Sequence, residues 1–234
     1  MSYFITGTDT GVGKTLISCA LLHGFAAQGK RVAGMKPVAA GCAEGGQHED
    51  VRQLRAASNV LASHGQINPY CFAQAAAPHL AAQFVGVNIN FWRIVESFSE
   101  LSRLADVVIV EGGGGLLVPL NGNQDSADLV RQMDLPIILV VGIRLGCLNH
   151  ALLTVEAITA RGLTLAGWVA NVLDENMVMR EENIAALQQR ISAPLLGIVP
   201  YQAQPDARAV AGWLDLGLLD ERISDPQITQ IGAD

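Results

Sequence analysis

The sequence predicts an α/β fold, a parallel sheet of about seven strands with helices on both faces. Three observations carry that prediction. Short apolar runs recur with almost no polar alternation, as strands covered on both faces require. Segments with helical spacing lie between them. The first apolar run leads into a Gly-rich turn, "GTDTGVGKT" (7–15), which opens a helix.

The elements follow in order. "YFITG" (3–7) reads as a buried strand. "KTLISCALLHGFAAQG" (14–29) places Leu16, Ala20, Leu21 and Phe25 at helical spacing and stops at Gly29. "RVAGMKP" (31–37) is the second strand, and Pro37 terminates it. Residues 42–90 then interrupt the alternation and carry much of the Ala, Gln and His. "DVVIVEG" (106–112), "PIILVVG" (136–142), "LAGWVAN" (165–171) and "PLLGIVP" (194–200) are further strands. "NHALLTVEAITARG" (149–162) is a helix ending at Gly162. "REENIAALQQRI" (180–191) has its acids early and Arg190 late, which suits the helix dipole. No repeat or compositional break divides the chain, so a single domain is expected over 1–222, with a polar, loosely held tail at 223–234.

Composition narrows the functional classes. Half of the 234 residues are hydrophobic and 16% are charged, enough for a large core. The net charge is -7 with no Lys/Arg block, which argues against a nucleic-acid surface. No apolar run reaches membrane-span length. "MSYFITG" lacks a basic n-region and cleavage site, so it does not read as a signal peptide, and a cytoplasmic location is expected. Cys19, Cys42, Cys71 and Cys147 form no CxxC and read as buried or idle thiols in a reducing compartment.

The opening motif gives the first chemistry. The strict phosphate-loop pattern asks for glycine at position 8, where Thr8 stands; Gly7 comes one residue early and is expected to serve the turn. The strand-loop-helix context supports a phosphate site of the Rossmann-like, P-loop NTPase type. Backbone N–H groups of Thr10, Gly11, Val12 and Gly13 would curl around phosphate oxygens at the helix N-terminus. Lys14 would meet the β- and γ-phosphates, and Thr15 would offer its hydroxyl to Mg²⁺. Asp9 stands where partition and septum-site ATPases carry a second lysine, which weighs against a nucleotide-switched ATPase.

Residues from three further segments can complete such a site. Glu111 ends an apolar strand, where a lone acid is costly unless paired or metal-bound. Gly112, Gly113 and Gly114, followed by Gly115, would bring N–H groups to a phosphate or substrate, or form a flexible turn. Asp50, in "QHEDVRQL", reads on its own as an ordinary acid of a helix N-terminus. Lys36, taken to end the strand beside the P-loop strand, would add a second cation, although alone it reads as a surface lysine.

Taken together, "GTDTGVGKT", "AGMKPVAAG", "VEGGGG", "LPIILVVGIRLGCLNHALLT" and "GLTLAGWVAN" resemble the dethiobiotin synthetases of biotin synthesis. The matches run in order from residue 3 to about 201, and "GCLNHALLT" and "AGWVAN" are the specific ones. The resemblance implies an ATP- and Mg²⁺-dependent ligase that acts on 7,8-diaminononanoate and CO₂, with no prosthetic group. It assigns Mg²⁺ to Thr15, Asp50 and Glu111, which displaces the plain reading of Asp50, and it puts Lys36 beside the carbamate and γ-phosphate. It implies a homodimer in which Leu145, Gly146 and Asn149 hold the substrate carboxylate across the interface; Asn149 reads equally as a helix cap. Asn171 matches the adenine-binding asparagine, and Pro200 and Tyr201 would flank the base. Ala40 stands where many members of the family place a serine that contacts substrate. A switch ATPase and an amide-forming synthetase acting on another acid are the competing readings; of the second, the amidotransferase versions are disfavoured because 234 residues show no glutamine-hydrolysing domain.

Overall fold

The computed structural model describes residues 1–43 and 45–220, so the polar tail expected at 223–234 lies outside the described residues. The chain begins with β1 (Ser2–Gly7), α1 (Lys14–Ala27), β2 (Val32–Met35) and β3 (Val38–Ala40). The irregular stretch holds α2 (Glu49–Ala57), α3 (His64–Ile67), β4 (Tyr70–Phe72), α4 (Pro78–Phe84) and α5 (Phe91–Leu104). After it come β5 (Val107–Glu111), α6 (Ser126–Met133), β6 (Ile137–Ile143), α7 (Cys147–Ala160) and β7 (Leu165–Val172). The described chain closes with α8 (Arg180–Gln188), β8 (Leu195–Val199), α9 (Ala207–Ala211) and α10 (Gly217–Asp220).

Six strands form one parallel sheet in the order β2-β5-β1-β6-β7-β8. These are the six apolar runs of the sequence, against an expected count of about seven. β3 and β4 pair separately as a small parallel sheet built from the stretch where the sequence shows no alternation. The main sheet is covered on both faces. Phe4, Val108 and Val110 pack towards α5 and α6, whereas Tyr3, Ile5, Val107 and Ile109 pack towards α1. Successive side chains point to opposite faces, so a strand buried on both must be apolar throughout. That is why the runs lack polar alternation.

The order corrects one expectation. β2, which precedes Lys36, does not lie beside the P-loop strand, because β5 sits between β2 and β1. β2 is therefore an edge strand. Its free N–H groups are met by side chains: Val32 N donates to Asn59 Oδ1 at 2.7 Å and Gly34 N to Ser58 Oγ at 2.9 Å. Asn59 N returns a bond to Val32 O at 3.2 Å. An edge satisfied in this way offers no open ladder.

The cysteines give a second correction. Cys42 and Cys71 are joined by a disulfide, with Cα atoms 6.2 Å apart, instead of standing as two idle thiols. They lie 29 residues apart in sequence and meet because β3 pairs with β4, a contact that no cysteine spacing reveals. Cys19 and Cys147 are free and buried. Burial, with Glu111 and Asp50 adding, pushes the Cys19 thiol up to about 12, which leaves it unreactive.

Candidate active site

Three adjacent strands end side by side and carry the candidate residues past their carboxyl ends. The register pairs Met35 with Val110 and Ile5 with Glu111. Lys36 therefore emerges next to Glu111, with the P-loop on the other side. The Lys36 ammonium lies 2.6 Å from Glu111 Oε1 and 2.8 Å from Asp50 Oδ2. It also donates to Gly112 O at 3.3 Å. Burial depresses the Lys36 pKa, but Glu111 and then Asp50 outweigh it, so the ammonium is held above the ordinary lysine value. Burial pushes the Asp50 carboxyl up, but the Lys36 charge and hydrogen bond more than reverse this, and it stays ionised below its usual range. Lys36 is thus no surface lysine, and Asp50 is no ordinary helix-start acid.

The loop after β1 behaves as a phosphate cradle should. Gly13 is the N-cap of α1 at φ 92, a left-handed conformation that glycine adopts freely. A side chain there would also collide with Asn171 Nδ2. No side chain caps α1 and no acid sits in its first turn, so its N-terminal N–H groups suit an anion. Lys14 Nζ donates to Asp9 O at 2.9 Å. Burial, with the Lys36 charge adding, lowers the Lys14 pKa to about 8, partly offset by Glu111, Asp50 and Asp9. Gly7 does not make the turn: it ends β1, and a Cβ there would sit 2.6 Å from Val12 Cγ2. The early glycine is a packing requirement of the loop folded over it.

The residues here fit a metal ion. Thr15 Oγ1 donates to Glu111 Oε1 at 2.9 Å, which places the hydroxyl among the carboxylates. Glu111 Oε2 is buried and accepts no hydrogen bond. An orphaned anionic oxygen is costly and fits a cation. Among the described residues no three His, Cys, Asp or Glu side chains cluster as a metal cage. Two carboxylates and a hydroxyl suit Mg²⁺, which keeps waters and phosphate oxygens in its shell.

A cleft of about 700 Å³ opens over this group. Lys14, Thr15, Lys36, Asp50 and Glu111 line it, as do Thr10, Gly11 and Gly13 of the loop. Ala40, Gly113 and Gly114 form part of its wall. Val12 and Gly112 are buried behind it. Leu145, Gly146 and Asn149 are exposed and lie outside this cleft. Asn149 does not cap its helix, because α7 begins at Cys147 with Gly146 as N-cap at φ 93. Like α1, α7 has no capping side chain and no acid in its first turn. Asn171, one residue before the end of β7, is buried and donates through Nδ2 to Val12 O at 2.8 Å, bracing the P-loop from below. Pro200 and Tyr201 are exposed beyond β8.

Residues 1–209 match the family described as an AAA domain. The ATP-dependent dethiobiotin synthetase of Nitrosospira multiformis is 55% identical over 214 residues, spanning 92% of this chain and 94% of the relative. The chain belongs to the dethiobiotin synthetase family. The dethiobiotin synthetase of Aromatoleum aromaticum is 54% identical over 218 residues, spanning 92% of this chain and 97% of the relative. Among solved structures, the MinC:MinD cell division complex of Aquifex aeolicus aligns over 99% of each chain with a TM-score of 0.55 at 13% identity. The septum site-determining protein MinD of Pyrococcus horikoshii, complexed with Mg-ADP, covers 94% of this chain and 90% of its own at 0.52 and 16%. At such identities the likeness shows the fold alone.

Three residues of this dethiobiotin synthetase family member escaped the sequence reading. His48 caps α2, its Nδ1 accepting from Asp50 N at 3.2 Å, and lines the cleft. Its place just before "ED" was the available signal. Arg144 binds Asp9 Oδ2 at 2.7 Å, so the acid at the switch-lysine position is neutralised from the β6–α7 loop. Asn68 is buried and donates to Lys36 O at 2.6 Å and Tyr70 O at 2.9 Å, fixing the backbone beneath the lysine. No local pattern announces those last two contacts, which cross long stretches of chain.

Proposed function

We propose that this chain is an ATP-dependent dethiobiotin synthetase, a cyclo-ligase that joins CO₂ to 7,8-diaminononanoate and closes a ureido ring. The observation that carries this reading is Lys36, a second buried ammonium held by two carboxylates at the mouth of a phosphate loop. A second cation is what an anionic nucleophile needs when it attacks an already anionic phosphate. The names of the relatives at 55% and 54% identity support the same reaction.

In this mechanism one amine of the diamine adds to CO₂, losing a proton and forming a carbamate. The carbamate oxygen takes the γ-phosphoryl group of ATP, releasing ADP and leaving a carbamic-phosphoric anhydride. The second amine attacks the carbonyl carbon, closes the ring and expels phosphate. Lys14 holds the β- and γ-phosphates, and Lys36 lies beside the carbamate, so the two ammoniums suppress charge repulsion and hold the reactants in line. Thr15, Asp50 and Glu111 would hold Mg²⁺, which when bound neutralises charge on the phosphates. The N–H groups of Thr10 to Gly13 and of Gly112 to Gly114 receive the phosphate oxygens. No prosthetic group takes part.

The adenine would lie against Asn171, Pro200 and Tyr201. The amide of Asn171 braces the loop through its nitrogen and leaves its oxygen for the base. The substrate carboxylate would rest on the uncapped start of α7, at Leu145, Gly146 and Asn149, supplied by the second subunit of a homodimer. Leu145, 91% exposed, would be covered there. Ala40 offers no hydroxyl, which costs one hydrogen bond to substrate. Among the described residues no helix is long and apolar enough to cross a membrane, in keeping with a cytoplasmic enzyme. The test is turnover of ATP, bicarbonate and the diamine, with the cyclic urea followed by mass spectrometry. ATP binding by the folded protein without product would defeat the reading.

A further inference from the structure

We propose that Cys42–Cys71 is a thiol-disulfide exchange site whose state sets how firmly Asp50 is held at the mouth of the phosphate loop. The bond lies at the join between the small β3–β4 sheet and the hairpin that leads to α2. Cys42 follows Gly41, and the backbone N–H groups of both residues donate to Phe72 O at 2.9 Å. The backbone is therefore anchored without the disulfide. The sulfur bridge controls the side-chain packing beneath.

That packing is a small separate cluster of Ala39, Cys42, Val51 and Ile67, with Cys71 and Ala62 against it. Ala39 precedes Ala40 on the cleft wall, and Val51 follows Asp50. From Cys42 the chain closes a tight hairpin, Ala43 N to Gln47 O at 2.8 Å, then reaches the His48 cap and Asp50. The bridge thus sits under the residue next to one half of the Lys36 ion pair. Breaking the bond lets the two sulfurs separate, and Val51, packed in the same cluster as Cys42, is the neighbour of Asp50 that feels the change.

The exchange chemistry is balanced. A thiolate of a small thiol or dithiol attacks the Cys71 sulfur, which is partly exposed whereas Cys42 is buried. The S–S bond breaks, Cys42 leaves as a thiolate and takes a proton, and a mixed disulfide forms on Cys71. A second thiol resolves it, releasing Cys71 as a thiol and the reagent as its disulfide. Two electrons and two protons pass from reagent to protein. A small-molecule disulfide drives the reverse.

Purified protein is treated with oxidised glutathione or with dithiothreitol, and the reagent is removed. Thiols counted in the unfolded protein should number two in the oxidised form, Cys19 and Cys147, and four in the reduced form. Peptide mapping should join residues 42 and 71. The dissociation constant for Mg²⁺·ATP, measured by calorimetry, should rise about fivefold on reduction and recover on reoxidation. The C42S/C71S protein should show one nucleotide affinity that neither reagent changes; the wild-type redox cycle decides the matter should that variant not fold. Four thiols after oxidation, or equal nucleotide affinity in both forms, would overturn the proposal. It rests on the nucleotide site of the previous subsection but not on the diamine reaction. An affinity shift without dethiobiotin formation would sink the reaction and leave the switch standing.

Discussion

Lys36 and Glu111 face each other at 2.6 Å, both buried at the floor of the cleft. The pair joins the ends of two neighbouring parallel strands, and Asp50 closes it from α2 at 2.8 Å. Removing one member leaves the other as a buried charge, so activity and stability are tied together here.

Lys36→Ala should lower turnover about a hundredfold or more, while ATP affinity changes far less. It should also cost roughly 3–5 kcal/mol of stability in denaturant titrations, from Glu111 left unpaired. Adding Glu111→Gln to that background should restore part of the stability and none of the turnover. Unchanged turnover in Lys36→Ala would remove this lysine from the chemistry.

Lys14 gives a pH dependence with a fixed sign. Its pKa is lowered to about 8 in the free protein, and a bound triphosphate favours the charged form and raises it. ATP affinity should therefore be level below about pH 8 and fall above it, by up to about tenfold per pH unit. Calorimetry in two buffers of different ionisation enthalpy should detect proton uptake on binding above pH 8. Affinity that stays flat to pH 9.5 would contradict the shift.

Ala40→Ser places a hydroxyl on the cleft wall. A single added hydrogen bond is worth about 1 kcal/mol, so the KM for the diamine should fall about fivefold, with kcat and ATP affinity little altered. Steady-state kinetics with the diamine varied decides it; an unchanged KM would mean that position 40 does not face substrate.

Asn149→Ala should raise the diamine KM several-fold. Asn149 is exposed and makes no cap, so the melting temperature should stay where it is. Loss of stability with no change in KM would make it a structural residue only.

Gly7→Ala tests the early glycine of the loop. The new methyl would meet Val12 Cγ2 at 2.6 Å and push the loop outward. A cost of about 1–3 kcal/mol is expected, with weaker ATP binding. Shortening Val12 to Ala in the same chain should relieve much of both effects, read by thermal unfolding and nucleotide titration.

The sequence made the main sheet legible because strands buried on both faces must be apolar throughout, and all six runs became its strands. Gly29 and Gly162 marked two helix ends correctly, each just past the last helical turn at positive φ. β3 and β4 escaped because three-residue strands carry no periodicity. α5 escaped despite a usable signal, Asn90 as cap and Phe91, Ile94 and Leu101 on one buried face. Within the site, Lys14, Thr15 and Glu111 were readable from strand-end context. Lys36 and Asp50 looked ordinary alone, since their meaning lies in a contact between distant segments. The Cys42–Cys71 bond was invisible for the same reason.

The sealed edge of β2 bears on how copies of this protein can meet. Ser58 and Asn59 occupy the positions where a neighbouring strand would have to bond. Two copies cannot fuse their sheets through that border without first evicting both side chains. The strand leading to Lys36 is thus insulated from self-recruitment, and concentrated protein has one fewer route to fibrous association. Any assembly must recruit the helical flanks or the opposite border, leaving the lysine's approach clear of a docked neighbour's backbone.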